Sequence, residues 1–372
     1  MTSVAMLSRA VGPPWADGSI NTHVAWARAL PDVDFRWFAS AAWHPTEPNF
    51  RATRLGATDN SWGVGQKARF AAWLAATRAD VFHLVFYPQP ATLRMLRPLL
   101  AAKRGPVVQT IQAAFAPSTH FAPLVVARHV VAVSERIARE LSAAMPGLDV
   151  TVVHPAVDPT LLATARADGA FAAGFNDGRR FVLYAGNWSE PLGVLEALEV
   201  FALVAADLND VDLVVANRAS LRAAHASAEA AVRDRFDERV RELALESRVK
   251  VVGLLPEFRA VVAAAAALLF PALDLREGKL DLPLVVLEAV ALGVPVALYD
   301  IAPLDEFAFA PAGAVARAGD RAALAAGLGA RLSDASAYRE ASEAGRVLAR
   351  DAFDPATRAA TLRGVYERAL GR

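Results

Sequence analysis

The chain has 372 residues, 55% of them hydrophobic and 21% charged, and its 39 Lys and Arg are balanced by 39 Asp and Glu. That length suits two globular domains with a core each, and zero net charge argues against a nucleic-acid binder that works by neutralising phosphates. With no cysteine there is neither a disulfide framework nor a thiolate metal site.

The N-terminal stretch MTSVAMLSRAVGPPW lacks a basic segment followed by a long apolar core. The most apolar run, Ala260–Leu273, falls short of the roughly 20 residues of a membrane span and contains Pro271. The expectation is a cytoplasmic protein with no transmembrane segment, for which peripheral membrane contact stays open.

Val4–Leu7 reads as a first strand, Val11–Ser19 as a loop rich in Gly and Pro, and Ile20–Leu30 as a helix with Ile20, Val24, Ala27 and Leu30 at near-helical spacing. Strand, glycine turn (Asp17-Gly18-Ser19) and helix start form the arrangement that offers backbone N–H groups to an anion. Further strands are expected at Phe35–Phe38, Val81–Phe86, Val107–Ile111, Val130–Ser134 and Val150–Val153, with helices at Lys67–Thr77, Ala91–Ala102 and from Glu135 to about Ala144. Residues 158–180, rich in Ala, Gly and Asp, predict a domain boundary.

A second alternating series follows: strands Phe181–Tyr184, Val211–Val215, Val249–Val252 and Ala267–Pro271, with helices Val194–Ala205, Ser227–Leu243 and Phe258–Ala266 between them. Such alternation predicts α/β domains built on open, mostly parallel sheets. The expected division is 1–165, 175–350 and a final helical segment, 351–372, broken off by Phe353-Asp354-Pro355.

Lys279–Asp300, KLDLPLVVLEAVALGVPVALYD, reads as a helix and a buried strand. Asp281 is a candidate cap, Pro283 suits the first turn, Gly293 the left-handed residue that ends the helix, and Val294–Leu298 the strand. Within that apolar helix sits Glu288. A lone buried carboxylate costs several kcal/mol unless something pairs with it, so the expectation is that Glu288 serves a ligand.

This motif resembles the signature of the family-four, GT-B-fold retaining glycosyltransferases, in which a Glu, seven residues, a second Glu and Ala-x-Ala-x-Gly-x-Pro-Val hold a nucleotide sugar. Glu288 matches the second Glu, the ribose ligand, whereas Leu280 stands where the first should be. The resemblance extends to Asp17-Gly18-Ser19, to Ser134-Glu135, to His154–Asp158, and to Gly186 and Gly193 of "GNWSEPLG". There Asn187 and Leu192 replace the Arg and Lys that clamp the pyrophosphate in the family. It implies two Rossmann-like doubly wound domains facing a cleft, the last helix crossing back to the first domain.

It further implies metal-independent transfer of a sugar from a UDP- or GDP-linked donor to a carbohydrate, lipid-linked or small-molecule acceptor held by the first domain. By this resemblance the donor site comprises Gly18, Ser19, Gly186, Asn187, Gly253, Leu254, Lys279, Leu280, Pro283, Leu284 and Glu288. Lys279 is the nearest candidate to replace the missing cations. Gln112, in "VVQTIQAAF", falls where the family commonly has His facing the donor sugar; its amide can bond a hydroxyl but is no acid or base near neutral pH.

Two competing readings share the fold. One is a degenerate, non-catalytic binding module, which the losses at 112, 187, 192 and 280 would fit; the charged pair around Leu280 speaks against it. The other is a sugar-nucleotide epimerase, for which paired carboxylates are missing. Asp32-Val33-Asp34 and Asp210-Val211-Asp212 have the spacing of a metal-chelating Asp-x-Asp but are expected in solvated loops. His23, His83, His120 and His154 are placed where strand ends or first turns could meet a ligand, and Trp15, Trp43 and Trp62 fall in predicted loops where an acceptor could stack.

Overall fold

The computed structural model describes the chain apart from residues 14, 16, 57–62, 87, 116–118, 168–174, 218–222, 254, 256 and 277–279. It divides into two compact units. The first takes Met1–Ala156 and Asp354–Arg372 together with Leu280 and Asp281; the second takes Leu282–Phe353 and the described part of 157–276.

In the first unit, strands β1 (Thr2–Val11), β2 (Val33–Ser40), β3 (Phe50–Gly56), β4 (Val81–Leu84), β5 (Val107–Ile111), β6 (His129–Ala132) and β7 (Asp149–Val152) form one parallel sheet in the order β3-β2-β1-β4-β5-β6-β7. Val4, Ala5, Met6 and Leu7 of β1 are all buried, the continuous apolar run expected of a strand covered on both faces. Helices α1 (Gly18–Arg28), α2 (Val64–Ala76), α3 (Pro90–Ala101) and α4 (Glu135–Ala144) link the strands. Ser134 caps α4 by accepting from Ile137 N at 3.2 Å.

The second unit repeats the design with β8 (Arg180–Gly186), β9 (Val211–Asn217), β10 (Val249–Val252), β11 (Ala267–Phe270), β12 (Val296–Tyr299) and β13 (Gly313–Ala316), ordered β10-β9-β8-β11-β12-β13 and parallel throughout. Its helices are α5 (Pro159–Ala167), α6 (Val194–Asp207), α7 (Ala223–Glu242), α8 (Phe258–Ala264), α9 (Leu284–Leu292), α10 (Arg321–Ser333) and α11 (Ala335–Ala352). A core of Val182, Tyr184, Phe201, Leu213, Val215 and Phe236 lies on one face of the sheet. Helix α5 packs on α8 and α9, so the division falls after Ala156 and not within 165–175.

The final helix, α12 (Pro355–Ala369), starts at the Asp354 cap with Pro355 in its first turn and belongs to the first unit. It packs on α1, β5 and β6. Buried Tyr366 bonds His83 Nδ1 at 2.8 Å, and Arg363 pairs with Asp32. Among the described residues no helix is long and apolar enough to cross a membrane.

Candidate functional site

In the second sheet the chain enters at β8, runs outward through β9 to β10, then returns to β11 on the other side of β8. This reversal is a topological switch point, and ligands of open α/β sheets bind in the crevice beyond the carboxyl ends of the strands there. The loops leaving β8 and β11 are joined: Leu273 N and Asp274 N both donate to Pro191 O, at 2.8 and 3.0 Å. Gly193 lies against the backbone of Pro271 with φ of 87°, and a Cβ there would meet Pro271 O at 2.3 Å.

Two helices begin beside this crevice without a side-chain cap: α6 after Gly193, and α9 after Pro283. The first N–H groups of such helices have no intrahelical partner and suit an anion. Asp281 is not the cap expected of it. Its carboxylate is wholly buried in the first unit, where it accepts from Ser134 Oγ at 2.5 Å and pairs with Arg136. That burial also removes the sequence argument that a charge beside Leu280 marks a donor site.

Glu288 is 6% exposed, in the second turn of α9. It is not the lone carboxylate read from the sequence, since Arg259 of α8 donates from Nε to Oε1 at 2.7 Å. Burial pushes the Glu288 pKa up, the Arg259 charge draws it back, and the like charge of Asp158 adds to the rise. Sequence reasoning missed Arg259, although its signal was there: one cation opening the apolar helix α8 and one anion within apolar α9.

The other donor-site candidates of the second unit lie at strand ends or helix starts. Gly186 closes β8 and Asn187 follows it, half-buried; Gly253 is exposed just beyond β10, with nothing among the described residues within 4 Å of where a Cβ would stand. Pro283 and Leu284 open α9. Leu192 is buried, its carbonyl accepting from Tyr184 Oη at 3.0 Å. Lys279, Leu254 and Trp62 lie outside the described residues.

In the first unit, Gln112 and Leu280 are both buried, and Gln112 O accepts from Asp281 N at 2.7 Å. Gln112 Nε2 donates to Val85 O at 3.2 Å, while Oε1 has no partner among the described residues. Asp17 caps α1 and accepts from both Ser19 N (3.1 Å) and Ser19 Oγ (2.6 Å). The Ser19 N–H thus meets the Asp17 carboxylate, and Gly18 is the first residue of α1.

His23 and His83 are core residues with ring centroids 5.9 Å apart; burial lowers the His23 pKa to about 4 and takes that of His83 well below its usual value. Trp43 is packed among Trp37 and Phe50, and Trp15, held at φ of 58°, sets an edge on it. The Asp pairs are held by guanidinium groups: Asp34 by Arg36 and Arg51, Asp210 by Arg180, Asp212 by Arg179 and Arg248. Among the described residues no cluster of three His, Asp or Glu is suited to a metal ion.

Residues 166–347 match the family described as "Glycosyl transferases group 1". No curated protein matches. Sucrose-phosphate synthase from Thermosynechococcus elongatus superposes with a TM-score of 0.74 at 19% identity, over 100% of each chain. Anabaena HepE in complex with UDP-glucose gives 0.70 at 16%, over 100% of each. A glycosyltransferase from Rickettsia africae gives 0.71 at 12%, over 99% of this chain and 98% of its own. The two parallel-sheet units are thus those of the GT-B fold.

Proposed function

We infer, for a chain whose residues 166–347 belong to the group 1 glycosyl transferases, that it moves a sugar with retention from a UDP- or GDP-linked donor to a carbohydrate, lipid-linked or small-molecule acceptor. The observation that carries this reading is the switch-point crevice with two uncapped helix starts and buried Glu288 on the second of those helices. Glu288 accepts from the ribose hydroxyls, the first N–H groups of α6 and α9 receive the diphosphate, and Gly253 approaches the base. HepE has been solved with UDP and with UDP-glucose, which supports such a donor.

The acceptor hydroxyl oxygen bonds the anomeric carbon on the face from which the diphosphate leaves. The carbon–oxygen bond to phosphate breaks with its electron pair, and the hydroxyl proton passes to a departing phosphoryl oxygen. No side chain need serve as base, which suits a neutral amide at Gln112, the candidate to bond a sugar hydroxyl. Lys279 stays a candidate phosphate ligand, and the reaction proceeds without a metal in the cytoplasm. Calorimetry with UDP, GDP and their hexose conjugates tests the donor site: Glu288→Ala should lose about ten- to hundredfold in affinity, the value of a charged hydrogen bond. No binding by wild type at millimolar nucleotide would sink the proposal, and loss of turnover in EDTA would sink its metal-free part.

The non-catalytic reading has its own support in Leu192 and Leu280, both buried and apolar where the family places charge. Diphosphate release in the presence of candidate acceptors separates the two.

A further inference from the structure

On the core-facing side of β9 the residues run Val211, Leu213, Val215, all within the apolar cluster under α6 and α7. The alternation then places Asn217 on the same face. Asn217 is 5% exposed, and among the described residues neither Oδ1 nor Nδ2 has a hydrogen-bond partner. An amide stripped of water on both atoms is costly, and an apolar residue would continue the pattern without that cost.

Its place gives the reason. Asn217 ends β9 in register with Gly186, the last residue of β8, at the carboxyl edge of the sheet and one strand from the switch point. Gly186 brings no side chain to this edge, because the ring end of Tyr184 occupies the place of a Cβ, with Oη 2.5 Å from it. Asn187 follows immediately. Two amides thus stand at the ends of adjacent strands where this chain lacks the cations of its family.

We propose that Asn217 is a donor-binding residue, its amide completing an uncharged site for the diphosphate and adjoining hydroxyl of a nucleoside diphosphate sugar. The ligand chemistry follows from the amide. An ionised diphosphate only accepts hydrogen bonds and meets Nδ2, whereas Oδ1 needs a donor, which a sugar hydroxyl next to the phosphate supplies. Rotation of the Asn217 side chain toward the strand ends delivers both atoms to the ligand. The inference rests on the glycosyl-transfer reading above.

The test is calorimetry on the full chain with UDP, GDP, UMP, GMP and the UDP- and GDP-hexoses, alongside thermal melting. Asn217→Ala should weaken the diphosphate that wild type prefers about ten- to hundredfold and the matching monophosphate less. Asn217→Asp should weaken it further through charge repulsion. Asn217→Leu should melt above wild type, because the orphan amide is gone, yet bind as poorly as Asn217→Ala. Wild-type affinity in these variants while Glu288→Ala loses binding overturns the role of Asn217 alone. So does a lower melting temperature for Asn217→Leu with binding retained, the mark of a structural amide. Failure of wild type to bind any of these nucleotides overturns the donor site as a whole.

Discussion

Arg259 Nε lies 2.7 Å from Glu288 Oε1, joining the two charges that interrupt apolar helices α8 and α9. Burial raises the pKa of this carboxylate, and the Arg259 charge and hydrogen bond oppose the rise. A group whose folded pKa lies above the unfolded value contributes stability at low pH that is lost as pH rises through the folded pKa. Arg259→Met removes the opposing cation and strengthens that trend. Its melting temperature should fall below that of wild type by more at pH 8 than at pH 5, because a proton gained by Glu288 lessens its need of a partner. A difference constant across that range would mean that Arg259 acts through packing alone.

Asp281 and Arg136 form a second buried pair, with Ser134 Oγ completing the carboxylate. Removing one member of such a pair typically costs about 3–5 kcal/mol, whereas replacing both by apolar residues is often neutral. Asp281→Leu should therefore destabilise strongly, Arg136→Met comparably, and the Asp281→Leu/Arg136→Met double variant much less than their sum. Urea titration of the four proteins gives the coupling energy; additive losses would show that the pair is not a unit.

Both pairs show what could be read from the sequence and what could not. Nearly every strand and helix with an unbroken apolar core was legible, including the α9–β12 unit with Gly293 at φ of 76°. Strand β3, FRATRLG, was missed because an edge strand with charged outward residues has no clean alternation, and β13, Gly-Ala-Val-Ala, because it has few strand-forming side chains. Ion pairs joining distant segments leave no local pattern. Asp281 looked like a cap and Glu288 like a lone charge because Arg136 and Arg259 lie 145 and 29 residues away.

Gly193 links the loops after β8 and β11 through its close approach to Pro271 and its positive φ. Ala at this position meets both obstacles, a left-handed backbone worth roughly 1–2 kcal/mol and a Cβ pressed into a carbonyl. Gly193→Ala should lower the melting temperature and, by parting the two loops, weaken diphosphate binding more than Gly253→Ala, whose added methyl meets nothing. Equal binding by the two variants would remove the switch point from the donor site.

His23 is buried against Trp26 and His83, donating from Nδ1 to Ser19 O at 2.5 Å, while Nε2 has no partner among the described residues. Burial, opposed by that bond and by the Asp17 charge, lowers its pKa from 6.5 to about 4. A depressed histidine stays neutral in the folded protein but takes a proton when unfolded, so its contribution is lost as pH falls from about 6.5 towards 4, by about 3 kcal/mol at full extent. His83, lowered in the same direction by burial and by His23, adds to the slope. Wild type should thus lose stability steeply between pH 7 and pH 4. His23→Phe should flatten that dependence, and an unchanged slope in denaturation at stepped pH would mean that other groups drive the acid transition.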